Sequence, residues 1–378
     1  MVLEKSKKLP SSGWRSKGTV EKLLESIALE TDYLNRPIKL MEVCGTHTMT
    51  LHRYGLKPQL EEVGVEMISG PGCPVCITPD YYHEAIINLL AEKNNIIVCT
   101  FGDMTRVPTR KGSLQTFVPK EGSKIKIVYS PEEALEIARE NPEKEVIFFG
   151  AGFETTIPAI TFTVKRAYQE KLKNYSILAA FWLIPPALEA LINSKELAIS
   201  GFIYPGHVSA IIGEQPYAFV ARKYGLPGAI AGFEPTDILL GVLSVAGQLR
   251  RKKPEVDNVY RRVVRAEGNP EALSLMDEML EEADVDWRGL GIIPKSGLKL
   301  KSAYSQFDAT RRYGLKLAPV KIIASGCRCG DVLKGLITPR DCPLFGRSCR
   351  PDSPKGPCMV SYEGACLIEF KYSSGVAK

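Results

Sequence analysis

The ten cysteines of this 378-residue chain fall into two groups that a long cysteine-free stretch separates. The first group, in the N-terminal third, consists of Cys44, Cys73, Cys76 and Cys99. The second group lies wholly in the C-terminal tail and consists of Cys327, Cys329, Cys342, Cys349, Cys358 and Cys366. Cysteines of a reducing compartment serve metal or redox chemistry more often than they form structural disulfides. The sequence therefore predicts two separate thiol sites.

Three cysteines of the first group follow the ends of predicted strands. Cys44 comes directly after the apolar run 38–43, and Cys73 and Cys76 lie in a Gly- and Pro-rich turn after the run 65–69. Ligands of open parallel sheets bind beyond the carboxyl ends of the strands, so we expect these thiols at one sheet edge. The Cys-x-x-Cys pair fits a redox dithiol or half of a structural zinc site. Three soft thiolates without a fourth suit an open, exchangeable metal site.

Other residues near the predicted strand ends could also do chemistry. His47 lies one turn after Cys44 and could act as an acid, a base or a ligand, although a structural role fits it equally well. Glu154 and Thr155 place a carboxylate and a hydroxyl at a strand-to-helix turn, where free backbone N–H groups can bind an anion. Plain helix capping by Thr155 is the alternative. Cys99 lies inside the apolar run 96–99, which favours burial in the core.

The second cysteine group favours an iron–sulfur cluster. Four thiolates on a backbone with little strand or helix pattern suit a [4Fe–4S] cluster, whose ligand loops must wrap around a cube. Structural zinc is the competing interpretation, but zinc ribbons use closely spaced Cys-x₂₋₄-Cys pairs, which this tail lacks. Six sulfurs exceed the four that a cluster needs, so two remain as a possible redox-active pair.

Short apolar runs alternate with helical patterns along most of the chain, which is typical of parallel strands joined by crossover helices. Strands are predicted at 38–43, 65–69, 96–99, 125–129, 146–149, 176–183, 201–204 and 229–232. Helices are predicted at 19–34, 48–56, 80–93, 131–140, 156–170, 186–193, 207–223 and 236–252.

These elements predict an α/β fold with two parallel-sheet α/β domains flanking a cleft, plus a loop-rich C-terminal iron–sulfur region. We expect an N-terminal helical segment at 1–36, a first α/β domain at 37–122 carrying Cys44 and the Cys73/Cys76 pair, and a second at 123–253 carrying Gly152–Thr156. Beyond 253 the alternation fades, and a cysteine-rich region is expected at 254–378.

Composition excludes several classes of protein. Apolar residues at 44% and charged residues at 24% are typical of a globular chain. The net charge of +6 gives little support to nucleic-acid binding, because the densest basic run, Arg250–Lys253, is short and has no aromatic residue within it. The longest apolar run, Ile177–Ile184, falls far short of the ~18 residues of a spanning helix. Lysines in place of an apolar signal near the N-terminus predict a cytoplasmic protein with no membrane partner.

Seven motifs, in order from about residue 38 to 370, together resemble the HypD family of [NiFe]-hydrogenase maturation proteins. They are Cys44-Gly45-Thr46-His47-Thr48, Gly70-Pro71-Gly72-Cys73-Pro74-Val75-Cys76, Thr100-Phe101-Gly102-Asp103, Gly152-Phe153-Glu154-Thr155-Thr156, Pro205-Gly206-His207-Val208-Ser209, Trp287-Arg288-Gly289-Leu290-Gly291 and Glu363-Gly364-Ala365-Cys366.

The resemblance implies a scaffold on which the Fe(CN)₂CO group is assembled with a small HypC-type chaperone, cyanide coming from a HypE-type carrier protein. It implies iron binding by Cys44, Cys73 and Cys76. Because a nearby cluster could supply electrons to the Cys73–Cys76 pair, we also expect these two cysteines to form a redox pair. It further implies that the [4Fe–4S] ligands are Cys329, Cys342, Cys349 and Cys366. Cys327 and Cys358 are then the extra redox pair. Met49 stands where some members of the family carry a second histidine, so no ligand role is carried over to that position.

The resemblance favours an assembly scaffold with redox-active thiols over an enzyme with ordinary turnover. Two other functions are compatible with the residues alone. One is a [4Fe–4S]-dependent thiol–disulfide oxidoreductase that uses Cys73–Cys76 or Cys327–Cys358. The other is a zinc-stapled interaction protein.

Overall fold

Two parallel sheets organise the chain in a computed structural model that describes residues 15–194, 196, 198–318 and 326–373. The first sheet has strand order β2-β1-β7-β8-β9, and the second has order β4-β3-β5-β6. The first contains β1 (Ile38–Glu42), β2 (Val65–Ser69), β7 (Gly201–Pro205), β8 (Gly228–Ala231) and β9 (Val256–Asn258). The second contains β3 (Ile96–Thr100), β4 (Lys124–Ile127), β5 (Glu145–Gly152) and β6 (Tyr175–Phe181). The predicted α/β fold class is confirmed.

Helices connect successive strands. Those before β5 are α1 (Lys17–Leu34), α2 (Gly45–Arg53), α3 (Leu56–Glu62), α4 (Pro74–Ile77), α5 (Asp80–Glu92), α6 (Gly102–Arg106) and α7 (Pro131–Glu140). Between β5 and β9 lie α8 (Ile157–Gln169), α9 (Ile184–Asn193), α10 (Gly206–Ile212), α11 (Ala218–Tyr224) and α12 (Pro235–Arg251). Several helices, among them α8, α9 and α12, begin with proline in the first turn, where its missing N–H costs no hydrogen bond.

The two sheets take their strands from interleaved parts of the chain. Strand β3 pairs with β4 and β5 in the second sheet, whereas β7, β8 and β9 return to the first sheet beside β1. Each β-α unit carries its own buried apolar strand, so local pattern identifies the strands without telling which sheet each one joins. The first sheet is therefore built from two separated parts of the chain.

The region after 253 contains more regular structure than the sequence pattern predicts. It includes α13 (Pro270–Met279) and an antiparallel hairpin of β10 (Leu280–Trp287) and β11 (Gly291–Leu300). The hairpin was missed because β10 is rich in acidic residues and β11 contains Gly and Pro, which weakens the strand pattern. In the part of this region that the structure describes, the other α-helices are the short α14 (Ala309–Tyr313), α15 (Cys329–Leu333) and α16 (Ala365–Ser373).

One buried cluster links both sheets with the C-terminal tail. It contains Met41 and Phe202 of the first sheet, Phe149 of the second, and Cys329 and Leu367 of the tail. The thiol-bearing turns thus lie around a shared core. Within the described residues, no helix combines the length and the apolarity that crossing a membrane requires.

Candidate functional site

Cys44 is held at the junction of a strand and a helix. It directly precedes α2 as the N-cap residue, with extended backbone, and its side chain is 6% exposed. Interactions of its sulfur with the backbone N–H groups of His47 and Thr46 favour the thiolate. Burial nevertheless raises the pKa of the Cys44 thiol to about 12, and the charge of Glu363 adds to this. The unliganded side chain is therefore a thiol, and any metal that binds it must displace a proton.

A buried carboxyl fixes the Cys44 turn. Glu42, at the end of β1, accepts a hydrogen bond from the backbone N–H of Cys44 at 3.0 Å. It also accepts from the Thr48 hydroxyl of α2 and interacts with Ser69 at the end of β2. Burial raises the pKa of Glu42 to about 8, so the carboxyl is largely protonated at neutral pH. Glu42 thereby links the C-terminal ends of β1 and β2 next to Cys44.

Cys73 and Cys76 form a disulfide across the first turn of α4. Both are almost fully buried, and the N–H of Cys76 donates to the Cys73 sulfur at 3.1 Å. Their turn lies directly against the Cys44 turn, since the N–H of Gly45 donates to the carbonyl oxygen of Gly72 at 3.2 Å. β1 and β2 pair in parallel register, which brings both turns to one edge. We call Cys44, Cys73 and Cys76 the sheet-edge site.

His47 faces the C-terminal end of β8 in the first sheet. Its Nε2 donates to the carbonyl oxygen of Gly232 at 2.9 Å, because a carbonyl can only accept. Burial lowers the pKa of His47 to about 4, so the ring is neutral and its Nδ1 carries a lone pair. That Nδ1 is buried without a hydrogen-bond partner among the described residues. The atom is available to accept a hydrogen bond or to bind a metal.

Glu154 and Thr155 lie at the end of β5, in the second sheet. One carboxyl oxygen of Glu154 accepts from the N–H of Ile184 at 3.0 Å, while its Oε2 has no partner within the described chain. Burial raises the pKa of Glu154 to about 8. Thr155 is half-buried, and α8 begins without a side-chain cap, so the capping alternative for Thr155 is not observed. Cys99 is fully buried in β3, as its apolar surroundings in the sequence predict.

All six C-terminal cysteines line one pocket, which we call the cysteine pocket. Phe345, Gly356 and Met359 also line it, and the space between these residues, including the part open to solvent, is about 280 Å³. Five of the six side chains are buried, and Cys327 is half-buried. Within the described ranges, no three or more His, Cys, Asp or Glu side chains are arranged in this structure so that they could hold a metal ion. The donor set still fits a [4Fe–4S] cluster, because soft thiols converge here from loops and short helices.

Cys329 is central among the pocket thiols. Hydrogen bonds from the thiols of Cys327 and Cys358 hold the pKa of Cys329 well below its usual range. The same contact with Cys329 raises the pKa of Cys358, which also interacts with Cys366. Cys358 therefore touches Cys329 and Cys366. Which two of the six thiols are spare stays a prediction.

The cysteine pocket adjoins the sheet-edge site. The turn Pro357–Met359, which contains Cys358, packs against α4, which contains Cys76. Glu363 packs so closely on Gly45 that a Cβ atom there would overlap it, and the Thr46 hydroxyl donates to Glu363 at 3.2 Å. Two thiol sites that are far apart in sequence are thus neighbours in space.

Three charged residues of this region were not selected by sequence reasoning. Glu42 ends a strand two residues before Cys44, Glu363 opens a family motif, and Arg288 lies in the Trp287–Gly291 motif. Burial raises the pKa of Glu363 to about 6. A charged residue at a strand end or inside a Gly-rich motif was the only sequence signal available for them.

Comparison with known proteins agrees with the resemblance. The family model of HypD, described as "Hydrogenase formation hypA family", matches residues 18–373. The hydrogenase maturation factor HypD of Rhodobacter capsulatus is 41% identical over 375 residues, covering 97% of this chain and 99% of that protein. The hydrogenase maturation factor HypD of Escherichia coli is 39% identical over 365 residues, covering 95% and 96%. The chain therefore belongs to the HypD family.

Proposed function

We propose that this chain is a hydrogenase maturation factor that serves as the scaffold on which the Fe(CN)₂CO group of [NiFe] hydrogenase is assembled. A HypC-type chaperone shares the iron, a HypE-type carrier brings the cyanide, and the process takes place in the cytoplasm. The iron fragment is the substrate of the scaffold. The observation that carries the proposal is the direct contact between the Cys44 turn and the disulfide turn at one sheet edge.

The three thiols of the sheet-edge site suit this substrate. Soft thiolates at an open site hold a low-spin Fe(II) fragment with strong-field ligands and still release it. Reduction of the Cys73–Cys76 disulfide by two electrons and two protons gives two thiols beside Cys44. A closed disulfide leaves Cys44 as the one free thiol of the three, so the pair can control how many sulfurs the iron meets.

Binding of iron at Cys44 must move a proton. The Cys44 thiol loses its proton as the iron–sulfur bond forms, because its pKa is about 12. The carboxyl of Glu363, whose pKa is about 6, is ionised at neutral pH and interacts with Cys44 by charge. We assign Glu363 as the acceptor of this proton. The Thr46 hydroxyl, which hydrogen-bonds to Glu363, holds the carboxylate in place.

The cysteine pocket is proposed to hold a [4Fe–4S] cluster through Cys329, Cys342, Cys349 and Cys366. A cluster bound there supplies single electrons. Phe345 and Met359, which line the pocket with the cysteines, shield the sulfurs from water. Cys327 and Cys358 then stay as thiols beside the cluster.

An infrared spectrum tests the proposal against the alternatives. The chain is purified without oxygen together with its HypC-type chaperone, and CN and CO stretching bands are expected. Absence of these bands, together with disulfide reductase turnover, would favour the [4Fe–4S]-dependent thiol–disulfide oxidoreductase. Zinc without iron or sulfide in a metal analysis would favour the zinc-stapled interaction protein.

A further inference from the structure

Arg288 is a largely buried cation between the sheet-edge site and the cysteine pocket. Its side chain is 17% exposed, and its guanidinium pairs with Asp80, the first residue of α5. Its backbone N–H donates to the carbonyl oxygen of Ile77, the last residue of α4, at 2.8 Å. The turn that carries Arg288 is therefore fastened to the helix that contains Cys76.

The opposite side of the same turn contacts the cysteine pocket. The positive charge of Arg288 interacts with the sulfurs of Cys329 and Cys327. Gly289, with φ +83°, lies so close to Gly330 that a Cβ atom would overlap that residue's Cα. Backbone contacts on both sides thus hold the Arg288 turn between α4 and the turn that contains Cys329.

We propose that Arg288 is a positioning residue that stabilises negative charge on the Cys329 sulfur and so raises the reduction potential of the centre to which Cys329 belongs. Reduction of a cluster adds one electron, and reduction of a disulfide yields two thiols or thiolates. In both cases negative charge grows on or beside this sulfur. A largely buried cation beside the sulfur favours the reduced state, because reduction adds negative charge next to it.

Asp80 sets the strength of this effect. Its carboxylate pairs with the same guanidinium and offsets part of the charge that Arg288 presents to Cys329. Removing the Asp80 charge should therefore raise the potential, whereas removing the Arg288 charge should lower it. If the two substitutions shift the reduction potential in opposite directions, the role of Arg288 is electrostatic and not merely structural.

The inference rests on the proposed redox chemistry of the cysteine pocket and is independent of Fe(CN)₂CO assembly. The intact chain, purified without oxygen, is first analysed for iron and sulfide. If a cluster is present, its midpoint potential is measured by mediator titration followed in the visible absorption. The potential of the pocket thiols is measured in parallel by thiol labelling in dithiothreitol buffers, so it is available even if no iron is found.

The variants are Arg288→Met, Arg288→Lys and Asp80→Asn, with Arg350→Met as the matched control. Arg350 is exposed and adjacent in sequence to Cys349. Its replacement by Met removes one positive charge, as Arg288→Met does. Arg288→Met should shift the reduction equilibrium at least tenfold towards the oxidised state, which is about 59 mV for one electron or about 30 mV for two. Arg288→Lys should give a smaller shift, because charge remains while the planar fork is lost. Arg350→Met should change little, because solvent screens exposed charge.

A shift in the cluster potential supports the proposal with Cys329 as a ligand. A shift in the thiol potential alone supports it with Cys329 in the redox pair. Equal potentials in Arg288→Met and wild type, with iron content and thermal unfolding unchanged, would overturn it. An equal shift in Arg350→Met would overturn it as well. If Arg288→Met does not fold, the Asp80→Asn/Arg288→Met double variant removes both charges, and the Asp80→Asn single variant still tests the sign.

Discussion

The sheet-edge site and the cysteine pocket use the same donor, the thiol, but are positioned by different means. At the sheet edge, Cys44 and Cys73 follow parallel strands and cap helices, and Cys76 lies within the helix that Cys73 caps, so the topology of the backbone places all three. In the cysteine pocket, the thiols come from short helices and turns that pack on the rest of the chain. A site fixed by regular structure should survive loss of its metal. A site formed by loops should depend on the group it binds.

Loss of the cysteine pocket should have the largest effect. Replacing Cys342 or Cys349 with Ala is expected to abolish the broad iron–sulfur absorption and to destabilise the C-terminal region. Little regular structure exists there to keep the loops folded without the bound group. Visible absorption and limited proteolysis measure both effects.

Cys327→Ala is the matched control for those variants, because it removes a thiol of the same pocket and should leave the cluster largely intact. If Cys327→Ala abolishes the cluster while Cys329→Ala spares it, the assignment within the Cys-x-Cys pair is reversed. That outcome would change only the ligands assigned to the cluster. The cysteine pocket would still be the site that depends on its bound group.

A mutation at the sheet edge should remove the substrate without unfolding the region. Cys44→Ala is expected to eliminate the CN and CO bands of the chaperone complex while the [4Fe–4S] absorption stays. The strand and helix that hold Cys44 do not need the metal to form. Infrared and visible spectra of the same sample measure the two sites side by side.

Cys99→Ala serves as the control for Cys44→Ala, because Cys99 is buried in β3 and packs in a different apolar cluster from the disulfide and the cysteine pocket. It should leave both spectra unchanged. Full retention of the CN and CO bands in Cys44→Ala, at wild-type iron content, would exclude Cys44 as a required ligand. Iron binding would then have to rest on Cys73 and Cys76 with a thiol of the chaperone.

The contact between the two sites should be sensitive to one added methyl group. Gly45→Ala would place a Cβ atom on Glu363 and is expected to cost about 1–3 kcal/mol of unfolding free energy. Gly18→Ala in α1 has open space around it and should be neutral or stabilising by up to about 1 kcal/mol. Denaturant unfolding measures both. Equal stabilities for the two variants would mean that the Glu363 segment moves aside freely.

A pH-dependent effect that leaves both thiol sites intact is expected at the corresponding edge of the second sheet. Folding raises the pKa of Glu154 to about 8, so the folded chain holds a proton that the unfolded chain releases. The resulting stability is present at acid pH and is lost as pH rises through 8. Between pH 6 and 8 the unfolding free energy of the wild type should therefore fall by up to about 1.4 kcal/mol per pH unit, and Glu154→Gln should abolish this fall.

Unfolding free energies of wild type and Glu154→Gln at pH 6 and pH 8 measure that difference. The amide can still accept from the N–H of Ile184, so the variant should fold. A stability gap that is the same at both pH values would show that the Glu154 carboxyl does not titrate between them.

Much of the fold could be predicted because local sequence carries the signal. Every strand predicted before residue 232 is present, with ends shifted by at most three residues, and the helix expected at 207–223 is divided into α10, a 3₁₀ turn and α11. Buried parallel strands form continuous apolar runs, and crossover helices have an amphipathic period. The assignment of strands to sheets could not be predicted, because β7 reaches β1 through a pairing that no local pattern encodes.

The sequence by itself determined the chemistry of this protein: which residues are thiols, that Cys44 and the Cys73/Cys76 pair follow strand ends, and that six more cysteines share one tail. Only the tertiary structure decided that the two groups adjoin, with the Pro357–Met359 turn against α4. It also decided the protonation of Cys44 and the place of Arg288 beside Cys329. The physical reason is that strand ends and thiol chemistry depend on local sequence. Burial and charge pairing depend on segments that folding brings together from distant parts of the chain.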